Sequence, residues 1–264
     1  MPWIEANGAA LRYDLAGTGP RTVVLVHEMG GTLESWTDVV PRLTAGGYRV
    51  LSYDTRGAGL SEKAHSPLSI DTMADDCAGL LDALGIAGKV AIAGIAVGGA
   101  IAIRFAARHP ARTAALVAMS PATGIAPERR PAALAMVDAI ERDGMRPGMD
   151  ASLGPTYPSE LRTDADRFRT VRAQRLGNDP ASYAAVYRML AGLDMSADLA
   201  SIACPTLVLA GRYDALRPPA LVESVARAIP GARFAVLDTG HFMAWQTPQA
   251  VAEALLDVLS TAIL

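Results

Sequence analysis

Short runs of apolar residues alternate along the chain with segments in which apolar residues recur every three or four positions. Short apolar runs are typical of buried strands, and helical spacing is typical of segments that cover a sheet. The alternation predicts an α/β fold with a mostly parallel sheet covered on both faces. We predict strands at residues 3–6, 9–15, 22–27, 48–53, 113–119, 206–210 and 233–237, and one more that begins at residue 90.

The clearest predicted helix lies between Ser69 and Gly85. Ser69 is a favourable N-cap, Gly85 is a favourable terminator, and the apolar residues between them keep helical spacing. The same spacing predicts further helices at residues 33–45, from about 218 to 229, and from 248 towards 263. Another predicted helix, which ends at about residue 107, follows the strand that begins at residue 90.

The strand pattern disappears between residues 121 and 196, where helical spacing with many Met, Arg and Ala residues takes over. This change predicts a helical cap that is inserted between two strands of the sheet. We therefore expect residues 1–120 and 197–264 to form the core, and residues 121–196 to form the cap.

Length and composition agree with this organisation. A chain of 264 residues, of which 51% are hydrophobic and 19% charged, has room for one α/β domain with an insertion. The net charge of −3 and the lack of a basic run predict no nucleic acid and no membrane surface as a partner. The N-terminus lacks a basic segment followed by an apolar one, so we expect a cytoplasmic protein. The sequence does not set the oligomeric state, and a homodimer is one expectation.

The sequence also lacks the usual signatures of cofactor sites. Cys77 and Cys204 are far apart and lie outside any Cys/His cluster, so we expect inert thiols and no structural metal. The glycine pairs at 17–19 and 57–59 lack the further glycine or Gly-Lys-Ser/Thr ending of phosphate-binding loops. We expect no metal and no organic cofactor.

A glycine-bounded turn follows the strand that begins at residue 90. In Gly94-Ile95-Ala96-Val97-Gly98 the two glycines stand where a G-x-S-x-G nucleophile elbow has them. Such an elbow forces its central residue into a strained, exposed conformation between strand and helix. The central residue is Ala96, which carries no nucleophile.

Two further polar residues follow predicted strands. Asp214 comes after the strand at 206–210, and His241 comes after the strand at 233–237. Both positions belong to the carboxyl edge of a parallel sheet, where such enzymes place their sites. An aspartate that orients a histidine makes a general base, and the order elbow, acid, histidine is the α/β-hydrolase order.

Together these segments resemble the α/β-hydrolase family over essentially the whole chain. The resemblance rests on His27-Glu-Met-Gly-Gly31, on Asp54-Thr-Arg-Gly-Ala-Gly-Leu-Ser61, on the elbow, and on the segments 205–214 and 240–241. The cap segment from Asn178 to Met195 is most similar to that of the 3-oxoadipate enol-lactonase group. The resemblance implies cofactor-free hydrolysis of a small carboxylated enol-lactone, ester or amide between sheet and cap. It also implies an oxyanion hole, which the backbone amides of Met29 and Val97 would supply.

Three positions depart from the family pattern: Ala96 replaces the serine, Glu28 stands where glycine is usual, and Val97 is β-branched. Either a serine was replaced to give an inactive form, or alanine is native and His241 activates water or substrate directly. In the second case Glu28 is a candidate assisting group, although a helix-capping role is an equal alternative. A lyase or cofactor-free oxygenase on this fold, or a non-catalytic small-molecule receptor, are the rival functions.

Several side chains are assigned around the site. Trp36, Tyr187 and Trp245 are predicted to bind substrate. Arg169, Arg172 and Arg175 are interpreted as a solvated helix face, with carboxylate binding as the alternative. We interpret His27 as a structural hydrogen-bonding residue, and His65 and His109 as loop and helix-end residues without a role. Asp238 is interpreted as a turn residue, with a role as the partner of His241 as the alternative.

Overall fold

The computed structural model describes residues 2–64 and 66–261, and within them eight strands form one sheet. The sheet has the order β1-β2-β4-β3-β5-β6-β7-β8, in which β3 to β8 are parallel and β1 and β2 are antiparallel to their neighbours. This order confirms the predicted α/β class. The strands are β1 Trp3–Ala6, β2 Ala9–Ala16, β3 Arg21–Val26, β4 Tyr48–Tyr53, β5 Val90–Ile95, β6 Thr113–Met119, β7 Thr206–Gly211 and β8 Arg233–Leu237.

Helices cover both faces of the sheet and fill the connection between β6 and β7. The α-helices are α1 Val40–Ala45, α2 Ile70–Ala83, α3 Val97–Arg108, α4 Arg130–Asp143, α5 Met149–Thr156, α6 Ala165–Leu176, α7 Pro180–Ala191, α8 Ser196–Ser201, α9 Pro219–Arg227, α10 Met243–Gln246 and α11 Pro248–Thr261. Short 3₁₀ turns occur at Leu33–Trp36, Pro110–Arg112, Pro127–Arg129 and Ser159–Leu161. Within the described ranges, no helix is both long enough and apolar enough to span a bilayer.

The two sheet faces form two separate apolar clusters because successive residues of a strand point to opposite sides. Val24 and Val26 of β3 belong to the cluster that includes residues of α2, α3 and α9, whereas Val23 and Leu25 belong to the cluster that includes residues of α1 and α11. Because both faces of these strands are buried, the strands appear in the sequence as continuous apolar runs rather than as alternating apolar and polar residues.

The predicted helix at 33–45 is wrong as a single element. A 3₁₀ turn at Leu33–Trp36 is followed by a break, and α1 begins at Val40. Pro41 has no amide hydrogen and is favoured in the first turn of a helix, where α1 places it. The short helix α10 directly after His241 was not predicted. The predicted role of His65, and the predicted continuation of the last helix to 263, fall outside the described residues.

The segment between β6 and β7, residues 121–196, is here called the helical insert. It contains helices and no strand in the described structure. Part of it forms a third apolar cluster with Phe242, the residue next to His241. We call it the insert cluster, and its other buried members are Met145, Met149, Leu153, Tyr157 and Val171. The insert therefore packs directly on the loop that carries the predicted histidine.

Candidate active site

Ala96 stands at the turn from β5 into α3 in a conformation that is uncommon for a residue with a side chain. Its φ is 53° and its ψ is −112°, a combination that costs on the order of 1–3 kcal/mol. Backbone hydrogen bonds hold it: the Ala96 amide donates to the Met119 carbonyl (2.9 Å), and the Ala96 carbonyl accepts from the Ala122 amide (2.9 Å). The strained geometry of a nucleophile elbow is thus present although the nucleophile is not.

The flanking glycines are required by close backbone contacts. A Cβ atom on Gly94 would lie 2.1 Å from the carbonyl oxygen of Gly98, and one on Gly98 would lie 2.2 Å from that of Val26. Each distance is far below van der Waals contact, so only glycine lets α3 start against β3 and β5.

Asp214 and His241 are brought together as a hydrogen-bonded pair. Asp214 Oδ2 lies 2.8 Å from His241 Nδ1, and the two residues are only 2% and 5% exposed. The other carboxyl oxygen, Oδ1, accepts from the backbone amides of Leu216 (3.0 Å) and Arg217 (2.9 Å). With Nδ1–H donating to Asp214, the free lone pair of the imidazole is on Nε2.

The environment of Asp214 favours its ionised form. Burial raises the pKa of the carboxyl group, but the hydrogen bond and charge of His241 and the hydrogen bond from the Arg217 amide outweigh burial and leave the pKa below its ordinary value. A carboxylate that stays ionised can hold the imidazole in one tautomer and stabilise its cation.

The helical insert contacts this pair through the end of α5. The Thr156 carbonyl accepts from the His241 amide (3.2 Å) and from Gln246 Nε2 (3.2 Å). The histidine loop is therefore fixed by the insert on one side and by the sheet on the other.

Met29 and Val97, the predicted oxyanion donors, line the same small cavity. Met29 follows β3 in a tight turn, in which the Gly31 amide donates to the Glu28 carbonyl (2.9 Å). Val97 is the first residue of α3, so its amide has no acceptor within the helix. The positive end of the helix dipole is at the same place, which favours a developing negative charge.

His27 adjoins the loop that carries Met29, here called the oxyanion loop, and both of its ring nitrogens form hydrogen bonds. Nδ1 lies 2.7 Å from the Glu28 carbonyl, and Nε2 accepts from the Thr55 amide at 3.0 Å. These bonds tie the end of β3 to the loop after β4 and leave no ring nitrogen for catalysis.

Glu28 is buried, with 2% of its surface exposed. Its Oε1 accepts from the Ser35 hydroxyl (3.1 Å), and Ser35 Oγ accepts in turn from the indole N–H of Trp245 (3.1 Å). Oε2 has no hydrogen-bond partner in the described structure. The carboxyl group does not cap a helix, so the capping alternative is wrong.

The aromatic residues predicted to bind substrate separate into two groups. Trp36 is fully buried among the core residues that face α1 and α11, so the structure assigns it to the core rather than to the site. Trp245 is half-buried beside the insert cluster. Tyr187 is half-buried on α7, and its ring centroid lies 6.4 Å from that of Tyr183.

The three arginines of α6 also separate. Arg169 is exposed and Arg172 is half-buried, and they pair with Asp166 and Asp150, as a solvated face predicts. Arg175 contradicts that prediction, because it is only 6% exposed. Its Nη1 donates to the Met29 carbonyl (2.8 Å), and its guanidinium carbon lies 4.7 Å from the centroid of the Phe242 ring.

A small cavity lies between the elbow and α7. It has a volume of about 20 Å³, enough for a single water molecule. Met29, Gly30 and Val97 line one side, and Ser182 and Tyr183 line the other.

Other candidate groups are distant from this chemistry. Burial raises the pKa of Cys77 to about 12, which keeps its thiol protonated. Asp238 is exposed and pairs with Arg212, and His109 lies at the end of α3 beside Asp75. Among the described residues, no three potential His, Cys, Asp or Glu ligands cluster as a metal site would require.

Comparisons with known proteins agree with this geometry. A family model described as "Serine aminopeptidase, S33" matches residues 19–241. A protein of Azorhizobium caulinodans with the provisional name carbamate hydrolase RutD is 31% identical, over 97% of each chain. Among solved structures, a thermophilic esterase from Thermogutta terrifontis with malate bound has a TM-score of 0.92 and 29% identity, covering 98% of each chain. The enol-lactonase from Burkholderia xenovorans LB400 has a TM-score of 0.91 and 28% identity, covering 98% of this chain and all of the other.

Proposed function

The chain belongs to the α/β-hydrolase family described as serine aminopeptidase, S33, and from this premise we propose that it hydrolyses a small carboxylated ester, enol-lactone or amide. The observation that carries the proposal is the buried contact of 2.8 Å between His241 Nδ1 and Asp214 Oδ2, at the same sheet edge as the Ala96 elbow. A hydrolase needs such a base, whereas a receptor that only holds a ligand does not.

In the proposed reaction, water takes the place of the missing serine hydroxyl. His241 Nε2 accepts a proton from water, and the water oxygen forms a bond to the carbonyl carbon. The amides of Met29 and Val97 stabilise the negative charge that develops on the carbonyl oxygen. The tetrahedral intermediate then breaks its bond to the leaving oxygen or nitrogen, which takes the proton from His241.

Asp214 and Glu28 have separate roles in this proposal. Asp214 orients the imidazole and stabilises the imidazolium, and the lowered pKa of its carboxyl group supports that role. Glu28 assists as a second acceptor for the reacting water, supported by its unpartnered Oε2 in the loop that also supplies Met29. Tyr187 and Trp245 are proposed to contact the substrate from α7 and from the histidine loop.

The substrate class is supported by the relatives. The names and titles of similar proteins include an enol-lactonase, an esterase with malate bound and a carbamate hydrolase, which all concern small oxygenated molecules.

A rate comparison of three proteins tests the proposal. The unaltered chain, Ala96→Ser and His241→Ala are assayed on a panel of enol-lactones, esters and formyl amides. We expect the unaltered chain to be active and His241→Ala to lose roughly 10²- to 10⁴-fold of that rate. An inert parent beside an Ala96→Ser protein that is faster by on the order of 10⁶-fold, the magnitude seen where a triad acts as a unit, would instead identify the chain as an inactivated serine hydrolase.

A lyase or cofactor-free oxygenase is the second candidate, because the base is retained where the nucleophile is absent. Abstraction of a substrate proton needs a histidine base but no serine. Turnover in ¹⁸O-labelled water separates the two, since hydrolysis incorporates one labelled oxygen into the acid product. Turnover without that label would contradict the hydrolase proposal.

A further inference from the structure

A buried cation without a carboxylate partner lies at the edge of the candidate site. Arg175 is 6% exposed, and its Nε has no hydrogen-bond partner among the described residues. No described Asp or Glu lies within 4.0 Å of its guanidinium nitrogens. Glu28 belongs to the loop that Arg175 contacts, but its carboxyl group bonds to Ser35 instead.

Its contacts place the Arg175 guanidinium between the loop that carries Met29 and the loop that carries His241. Nη1 donates to the carbonyl of Met29, whose amide is a proposed oxyanion donor. The guanidinium also lies over the ring of Phe242, which is next to His241. A Cβ atom on Gly30 would lie 3.2 Å from Arg175 Nη1 and 3.2 Å from Tyr183 Cε2. Gly30 and Tyr183 line the cavity at the elbow, so the guanidinium lies next to residues of its wall.

One carbonyl and one aromatic face compensate a buried guanidinium only in part. Removing a charge from water is unfavourable unless a counter-charge or further hydrogen bonds replace the lost hydration. A carboxylate is the anion whose two oxygens match the fork of N–H donors on arginine. A carboxylate ligand would therefore supply the compensation that the described side chains do not.

Covalent geometry limits how far this subsite is from the reacting carbonyl. The amide nitrogen and carbonyl oxygen of one residue are at most about 3.6 Å apart, and Arg175 Nη1 lies 2.8 Å from the Met29 oxygen. The oxyanion donor and the guanidinium are thus within roughly 6.4 Å of each other.

We propose that Arg175 is the carboxylate-binding residue of the site and selects substrates whose carboxylate stands two or three atoms from the reacting carbonyl carbon. This inference rests on the proposed function, and it adds the residue and the spacing that define the substrate class. Arg175 binds the carboxylate while the carbonyl oxygen faces the amides of Met29 and Val97.

Calorimetric binding of a matched ligand pair tests this without turnover. The probes are 4-oxopentanoate, in which two carbons separate ketone and carboxylate, and its neutral counterpart 4-oxopentanamide. The unaltered protein is expected to bind the anion at least tenfold more tightly than the amide. Arg175→Gln should weaken binding of the anion roughly 10- to 100-fold, the range for charge-assisted hydrogen bonds, and change binding of the amide less than threefold.

Arg172→Gln is the matched control, because Arg172 lies three residues away on the same helix but is paired with the exposed carboxylate of Asp150. It should leave both affinities unchanged. Equal affinity of the unaltered protein for the two probes would overturn the proposal. So would equal weakening of both probes by Arg175→Gln, since that result means that Arg175 only holds the oxyanion loop.

Arg175→Lys keeps the charge and removes the planar fork, so it remains informative if the glutamine variant does not fold. It should bind the anion at least threefold more weakly and the amide as before, and an unchanged affinity for the anion would also overturn the proposal. Arg175-dependent binding together with inactivity on the whole substrate panel would refute the hydrolysis but leave this subsite standing.

Discussion

Substitution of Asp214 by asparagine should shift the histidine into the wrong tautomer while leaving its position unchanged. In the native pair, Oδ2 accepts from His241 and Oδ1 accepts from the amides of Leu216 and Arg217. An asparagine can keep both backbone bonds only if its oxygen occupies the Oδ1 position. Its NH₂ group then faces His241 Nδ1, which must become an acceptor, and the imidazole proton moves to Nε2.

The two backbone bonds also set the magnitude. If the asparagine turned its oxygen to His241 instead, the amides of Leu216 and Arg217 would both lose their acceptor, at about 1–3 kcal/mol for each buried donor. The productive tautomer is therefore disfavoured by about 2–6 kcal/mol, which corresponds to a loss of roughly 30-fold to 10⁴-fold in base-catalysed rate. Loss of the aspartate in serine proteases with the same pair costs on the order of 10⁴-fold.

Two measurements check this. The value of kcat/KM on the best substrate reports the rate, and ¹⁵N NMR of His241 reports which ring nitrogen carries the proton, even without turnover. Asp238→Asn is the matched control, since Asp238 lies three residues before His241 but is exposed and paired with Arg212. An Asp214→Asn protein with an unaltered rate and a protonated Nδ1 would refute the reasoning, as would an equal loss in Asp238→Asn.

Two predictions concern stability. Gly94→Ala should lower the free energy of unfolding by at least about 2 kcal/mol, because its Cβ would overlap the Gly98 carbonyl. Gly88→Ala is the control: a Cβ atom there would have no atom within 4 Å, so it should change the free energy of unfolding by less than about 0.5 kcal/mol. Similar urea midpoints for the two variants would contradict this prediction. The lowered pKa of Asp214 means that its ionised form stabilises the fold above the unfolded-state pKa of about 3.9, and that this contribution is lost as the pH falls through the folded-state pKa. Asp214→Asn should therefore lose less unfolding free energy between pH 5 and pH 3 than the unaltered protein does, and equal acid sensitivity by urea titration would be the contrary result.

The strands of the sheet were predictable because each one leaves its own pattern of apolar residues in a short stretch of the sequence. Strands covered on both faces are mostly apolar, so residues 48–53 and 113–119 appear in the sequence with the bounds that the structure has. The break between Trp36 and Val40 was not predictable from the apolar spacing alone. It depends on Pro41 and on the packing of Trp36 into the core, which the spacing of apolar residues does not encode.

The candidate site was predictable where backbone constraints leave a trace. Gly94 and Gly98 mark the elbow because no larger residue fits between the strand and the helix. Asp214 and His241 follow strands whose carboxyl ends meet at one sheet edge. The environment of Glu28 was not predictable, because its partners Ser35 and Trp245 come together only through the tertiary fold.

Arg175 is the instructive error, since helical geometry already separates it from the other two arginines. Each residue turns a helix by about 100°, so positions three apart drift by about 60°, and the three arginines do not share a face. Relative to Arg169, Arg175 lies at about −120°, between Phe168 at about −100° and Val171 at about −160°. Both apolar residues pack in the insert cluster. A charged residue in the middle of an apolar face becomes buried when that face packs, and the loss of its hydration is unfavourable unless another group compensates it. We assign that compensation to the carboxylate of the substrate.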